Sequence, residues 1–262
     1  MLKKRLIPVL LLKNGLLVRS ELFHIHQIIG NPVHEAERFN HWNVDELIYL
    51  DISQTDEYDL RRDDGKVKGL NHPLAILEEV SKTCFMPLTW GGRIKSVEDM
   101  SARISRGADK ITVNSEAVHH PELIRDGAKV FGSQAIVLSI DIYRHASGRT
   151  EVYIDGGKTP TGLNPVDWAK SGEAMGAGEI LIQSVQLDGV ATGYDLDLIR
   201  KISSAVMIPV IACSGVGRFE DYAAGIQAGA SAVAAANIWH FKELADRLGK
   251  KALVKAGVNV RM

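Results

Sequence analysis

Two carboxylates close apolar runs. Asp141 ends Ala135-Ile136-Val137-Leu138-Ser139-Ile140, and Asp51 ends Leu47-Ile48-Tyr49-Leu50. A carboxylate at the open end of a buried strand can serve as general acid or base once burial tunes its pKa; it can equally cap a loop. Glycine-rich turns offer a second chemistry. Gly91-Gly92-Arg93-Ile94 and Ser214-Gly215-Val216-Gly217 let backbone N–H groups approach an anion closely, and a following helix N-terminus adds roughly half a positive charge. Asn114-Ser115 and Asn237 give polar ends to two further apolar runs. Two such cradles suit a ligand with a phosphate at each end, although ordinary strand-to-helix turns would use the same glycines. A third set, Arg5, Glu46, Lys110 and Glu179, puts two positive and two negative charges where apolar runs begin. Turned inward they form a four-charge ring, a gate across an axial passage. Turned outward they are a solvated rim.

Positioning these groups requires strands, and the chain alternates β-branched apolar runs with amphipathic stretches. Strands are expected near Leu6–Leu12, Glu46–Ile52, Met86–Trp90, Asp109–Asn114, Gln134–Asp141, Glu179–Ser184, Ile208–Cys213 and Ser231–Asn237. Helix starts follow from Asn31-Pro32, Ser96-Val97-Glu98-Asp99 and Asn164-Pro165-Val166-Asp167, where a capping residue precedes an N1 proline or an acidic first turn. Internal repetition separates a closed barrel from an open sheet. Laying Met86–Gly92 on Ile208–Ser214 carries Glu98-Asp99 onto Glu220-Asp221 and Gly107-Ala108 onto Gly229-Ala230. Asp45-Glu46-Leu47-Ile48 likewise falls on Gly178-Glu179-Ile180-Leu181. The pattern predicts a (β/α)8 barrel built from two four-strand halves, one domain over residues 1–262. In such barrels the C-terminal strand ends carry the active site. The repeat partner of Asp141 then lies at the end of the first strand, where the residue is Leu11.

Composition narrows the partners. Among 262 residues, 31 Lys+Arg against 32 Asp+Glu leave a formal charge of -1, so neither nucleic acid nor an anionic membrane is expected. The 45% hydrophobic content supports a large core, and no run approaches a membrane span. Cys84 and Cys213 are far apart and read as reduced thiols of a cytoplasmic protein. No metal or cofactor is expected: His24 and His26 read as loop residues after the first strand, and His119-His120 as neighbours of a helix start, solvated or capping. The segment from Asp56 to Gly69, with Arg61-Arg62-Asp63-Asp64-Gly65-Lys66, reads as an exposed excursion, or as a substrate or partner contact.

The stretches Lys3-Lys4-Arg5-Leu6-Ile7-Pro8, Ala108-Asp109-Lys110-Ile111-Thr112-Val113-Asn114-Ser115, Gly157-Lys158-Thr159-Pro160-Thr161-Gly162-Leu163 and Gly176-Ala177-Gly178-Glu179-Ile180-Leu181, with Asp188-Gly189 and Gly193-Tyr194-Asp195-Leu196, carry a full-length resemblance. The chain resembles the cyclase subunit of imidazole glycerol phosphate synthase. That resemblance implies a glutaminase subunit docked on the lower face near Asp109. Its ammonia passes a gate at Arg5, Glu46, Lys110 and Glu179. At the top it meets a bisphosphorylated ribulosyl nucleotide held by Gly92, Asn114, Ser115, Asp188, Gly189 and Gly215, with Asp141 as acid/base. Departures accompany it. Leu11 replaces a second catalytic carboxylate, Arg93 a glycine, Gln183 a threonine, Cys213 a serine and Asn237 a phosphate-site serine. One expectation is therefore a divergent copy that feeds ammonia to a third protein amidating an acetamido sugar of the cell surface. The alternatives are an active cyclase of histidine synthesis with Asp51 in the missing acid's role, and a non-enzymatic phosphate-binding or assembly module.

Overall fold

In the computed structural model, which describes residues 3–42, 44–55, 58 and 70–261, parallel strands close into a barrel. Its staves are β1 (Arg5–Lys13), β4 (Leu47–Asp51), β5 (Leu88–Gly91), β6 (Lys110–Val113), β7 (Ile136–Arg144), β10 (Glu179–Ser184), β11 (Val210–Cys213) and β12 (Ala232–Ala235). Each pairs in parallel with the next, and β12 returns to β1. The helices are α1 (Pro32–His41), α2 (Pro73–Thr83), α3 (Val97–Ile104), α4 (Ser115–His119), α5 (Glu122–Phe131), α6 (Pro165–Met175), α7 (Leu196–Ser203), α8 (Glu220–Gln227), α9 (Ile238–Phe241) and α10 (Ala245–Lys255). This is the (β/α)8 barrel that the alternation and the repeat predict. Among the described residues no helix is long and apolar enough to cross a membrane.

Strand parity divides the apolar residues into two cores. Ile7, Val9 and Leu11 of β1 join Ile48, Val137, Leu181, Ile211 and Ala234 inside the barrel. Leu6, Leu10 and Leu12 point the other way and pack with the helices. Strand starts fall one or two residues later than predicted at β5 and β11, because Pro87 and Pro209 have no N–H for the ladder. The caps form as read: Asn31 Oδ1 accepts from Val33 and His34 N–H, Asn164 from Val166 and Asp167, and Ser96 Oγ from Asp99.

Two hairpins were not expected. After β1 the chain forms β2 (Leu16–Glu21) and β3 (Ile25–Gly30), and after β7 it forms β8 (Thr150–Ile154) and β9 (Thr159–Pro160). Both rise from repeat-related strands with the same register: Leu11 lies opposite Val18, as Asp141 lies opposite Tyr153. His26 thus belongs to a strand, correcting its placement in a loop, and His119 closes the short helix α4. β3 is mostly exposed, so it lacks the apolar alternation that announces a strand. The charged segment 56–69 lies outside the described residues except for Tyr58.

Candidate active site

The four charges at the strand starts turn inward. Arg5 Nη1 lies 2.7 Å from Glu46 Oε1 and 2.8 Å from Glu179 Oε1, while Lys110 Nζ lies 3.2 Å from Glu46 Oε2 and 3.2 Å from Glu179 Oε1. Charges alternate around a closed ring, and both glutamates are buried. Burial alone would lower the Arg5 pKa, but Glu46 and Glu179 outweigh it and raise it. Glu179 Oε2 is buried without a hydrogen-bond partner among the described residues. Such pairs contribute little to stability because desolvation offsets their attraction, so stability does not account for the ring. Asp109, on the same face, accepts from Leu88 N at 2.8 Å.

At the other end the strand termini open into a cavity of about 820 Å³, lined by Leu11, Asp51, Gly92, Arg93, Asn114, Ser115, Asp141, Gln183, Asp188, Gly189, Cys213, Gly215 and Asn237. Every residue expected at the top therefore lies in one pocket. Asp141 is buried, and that burial raises its carboxyl from 3.8 to about 7, against the opposing effect of hydrogen bonds from Asn114 and Gln183. Gln183 Nε2 donates to Asp141 Oδ1 at 3.1 Å and to Ser139 Oγ at 3.3 Å. A carboxyl titrating near neutrality can both give and take a proton at working pH. Leu11 occupies the equivalent position on β1 and carries no proton.

Asp51 is placed differently. Leu50 is packed with the barrel interior, so its successor leaves β4 on the opposite side. Asp51 Oδ1 accepts from Ser53 N at 3.0 Å and Oδ2 from the Tyr58 hydroxyl at 3.0 Å. Burial raises its pKa as well. It borders the pocket with both oxygens engaged.

The glycine turns depend on having no Cβ. At Gly92 (φ +104°) a Cβ would stand 2.1 Å from Asp51 O, at Gly189 (φ +72°) 2.4 Å from Ser20 O, and at Gly215 (φ +94°) 2.2 Å from Gly193 O. The helices after β6 and β12 are single turns, so the expected helix-terminus charge is a minor contribution and anion binding there must rest on N–H groups and side chains. Ser115 Oγ accepts from Asp155 N at 2.9 Å. Asn237 Nδ2 donates to Ser20 O at 2.8 Å. The Asp188 carboxylate accepts from Ser20 Oγ at 2.6 Å and Phe23 N at 3.2 Å, which binds the β2–β3 hairpin to the loop after β10. Burial pushes the Cys213 thiol up to about 12 and makes it a poor nucleophile. Sequence reading missed Lys13 and gave Lys158 no role, though both line this pocket. Only the unpredicted hairpins bring them there.

Comparison with known proteins agrees with this layout. A family described as histidine biosynthesis protein matches residues 5–245. The chain is 41% identical over 264 residues, spanning 100% of both sequences, to the imidazole glycerol phosphate synthase subunit HisF of Alkaliphilus metalliredigens.

Proposed function

The chain belongs to the histidine biosynthesis protein family, and from that premise we propose that it is the cyclase-type subunit of a glutamine-fed synthase. One observation carries the reading: a four-charge ring and a neutral-range carboxyl sit at opposite ends of one apolar barrel interior. A glutaminase partner docks on the lower face near Asp109 and releases ammonia against the ring. Arg5, Glu46, Lys110 and Glu179 admit the neutral molecule. The apolar interior favours ammonia over ammonium, since burying an ion costs several kcal/mol. At the top, Gly92, Asn114 and Ser115 hold one phosphate of a ribulosyl nucleotide, and Asp188, Gly189, Gly215 and Asn237 frame the other. Asp141 then relays protons while ammonia attacks, and the products are imidazole glycerol phosphate and an aminoimidazole carboxamide ribotide.

Leu11 favours a second reading. A positioned acid/base contributes ~10²–10⁴ in rate, and a leucine supplies none of it. Asp51 is held by Ser53 and Tyr58, away from the Leu11 position. With one proton carrier left, the same barrel serves as an ammonia conduit for a third protein that amidates an acetamido sugar. Purified protein with the ribulosyl nucleotide and ammonium at alkaline pH decides between them. Sustained nucleotide turnover supports the cyclase and excludes the conduit reading. No turnover, together with activation of a glutaminase partner, supports the conduit. Failure of both removes the synthase reading.

A further inference from the structure

The top pocket holds cations that neither Asp141 nor the two phosphate cradles use. Lys13 ends β1, His24 and His26 stand on the β2–β3 hairpin, and Lys158 sits in the turn between β8 and β9; all four line the cavity. Lys13 Nζ donates to His26 Nδ1 at 3.1 Å, leaving the ring proton on Nε2. Burial lowers the His26 pKa, and the positive charges of Lys13, His24 and Lys158 lower it further, so the cluster is close enough to interact. Among the described residues neither lysine has a carboxylate partner, while the neighbouring acids are engaged elsewhere: Asp188 with Ser20 and Phe23, Asp51 with Ser53 and Tyr58, Asp141 with Gln183.

The placement is enforced. The hairpin turn sets Leu22 and Phe23 at φ 54° and 64°, which costs an L-residue roughly 1–2 kcal/mol each. Asp188 holds that strained turn through Leu22 N (2.9 Å to its carbonyl) and Phe23 N. Phe23 packs where Gly157 leaves space: a Cβ there would lie 3.1 Å from Phe23 Cδ2, and Lys158 is the next residue. Leu11 shares the inward parity of Lys13. A carboxylate at that position would have supplied the missing counter-charge.

We propose that Lys13, His26 and Lys158 form a third anion locus on the β1 wall of the pocket, which takes an oxyanionic group of the ligand, carboxylate or phosphate, in addition to its two end phosphates. The inference rests on the top pocket being the ligand site and holds for either reaction there. Histidine-ring NMR tests it, with His26 assigned through His26→Gln and inorganic phosphate or acetate added at constant ionic strength. A saturable shift of His26, weakened about tenfold or more in Lys13→Met/Lys158→Met, is the expected result. Response to acetate alone identifies a carboxylate site, and response to phosphate, with or without acetate, a phosphate-accepting one. Phosphate shifts at the Gly92 and Gly215 amides with His26 unmoved overturn the locus and leave the pocket reading standing. No shift anywhere in the pocket overturns both. A His26 shift that persists in the double variant overturns the role of the lysines.

Discussion

Replacing Asp141 by asparagine separates what this residue does for the reaction from what it costs the fold. Its carboxyl titrates at about 7 in the folded chain against 3.8 when exposed, so the folded state holds the proton more tightly than the unfolded state. Below about pH 4 both states are protonated and there is no penalty. As pH climbs toward 7 the unfolded carboxyl ionises first, and stability is lost. Above pH 7 the whole difference applies, about 4 kcal/mol at about 1.4 kcal/mol per tenfold step. Asparagine has nearly the same shape, keeps an oxygen for the Gln183 amide and never buries a charge. Asp141→Asn should therefore be more stable than the natural chain by about 4 kcal/mol at pH 8.5, by less than about 2 kcal/mol at pH 5, and equal to it near pH 3. Urea unfolding followed by tryptophan fluorescence and far-ultraviolet dichroism measures this. Ammonia-driven turnover of the variant should fall by ~10²–10⁴. A stability gain independent of pH, or a variant weaker than the natural chain at pH 8.5, would refute the buried-carboxyl argument.

Lys110→Ala opens the ring while leaving the top untouched: glutamine-driven product formation should drop at least about tenfold with ammonia-driven activity retained, and equal loss in both assays would reduce the ring to a structural device. Leu11→Asp should raise nucleotide turnover with ammonium by about 10²-fold; an unchanged rate would mean that the pocket has been rebuilt for another acceptor. Gly92→Ala drives a Cβ to 2.1 Å from Asp51 O at φ +104° and should cost about 3 kcal/mol or more, whereas Gly148→Ala, at φ +83° with open space around it, should cost only about 1 kcal/mol; matched urea midpoints would disprove the close-approach argument. Lys250, fully buried on α10, pairs with Asp45 at 3.1 Å, while the second Asp45 oxygen accepts from Leu6 N. Lys250→Met should destabilise by about 3–5 kcal/mol, with partial recovery on adding Asp45→Asn; a neutral single variant would show that the pair contributes nothing.

The barrel is largely readable from the chain because its signals are local. β-branched runs, proline-backed asparagine caps and glycine turns each act within a few residues. Their repetition across the halves supplies the closure. The hairpins escape that reading: β3 is exposed on both sides, and β9 is two residues long. Without them His24 and His26 look like loop histidines, and Lys13 and Lys158 have no reason to be associated. Asp51 and Asp141 look alike as acids ending apolar runs. Strand parity alone sends one toward Ser53 and Tyr58 and the other into the pocket.

Residue types and their order thus settle the number of strands, their direction, which strand ends carry glycines and acids, and the loss of a proton carrier at Leu11. Folding settles the rest. Arg5 and Glu179 stand 174 positions apart, yet meet at 2.8 Å, and a carboxyl at 3.8 becomes one at about 7 only where the packed interior keeps water away from Asp141. Charge pairing and desolvation depend on distances through space. No pattern along the chain contains those distances.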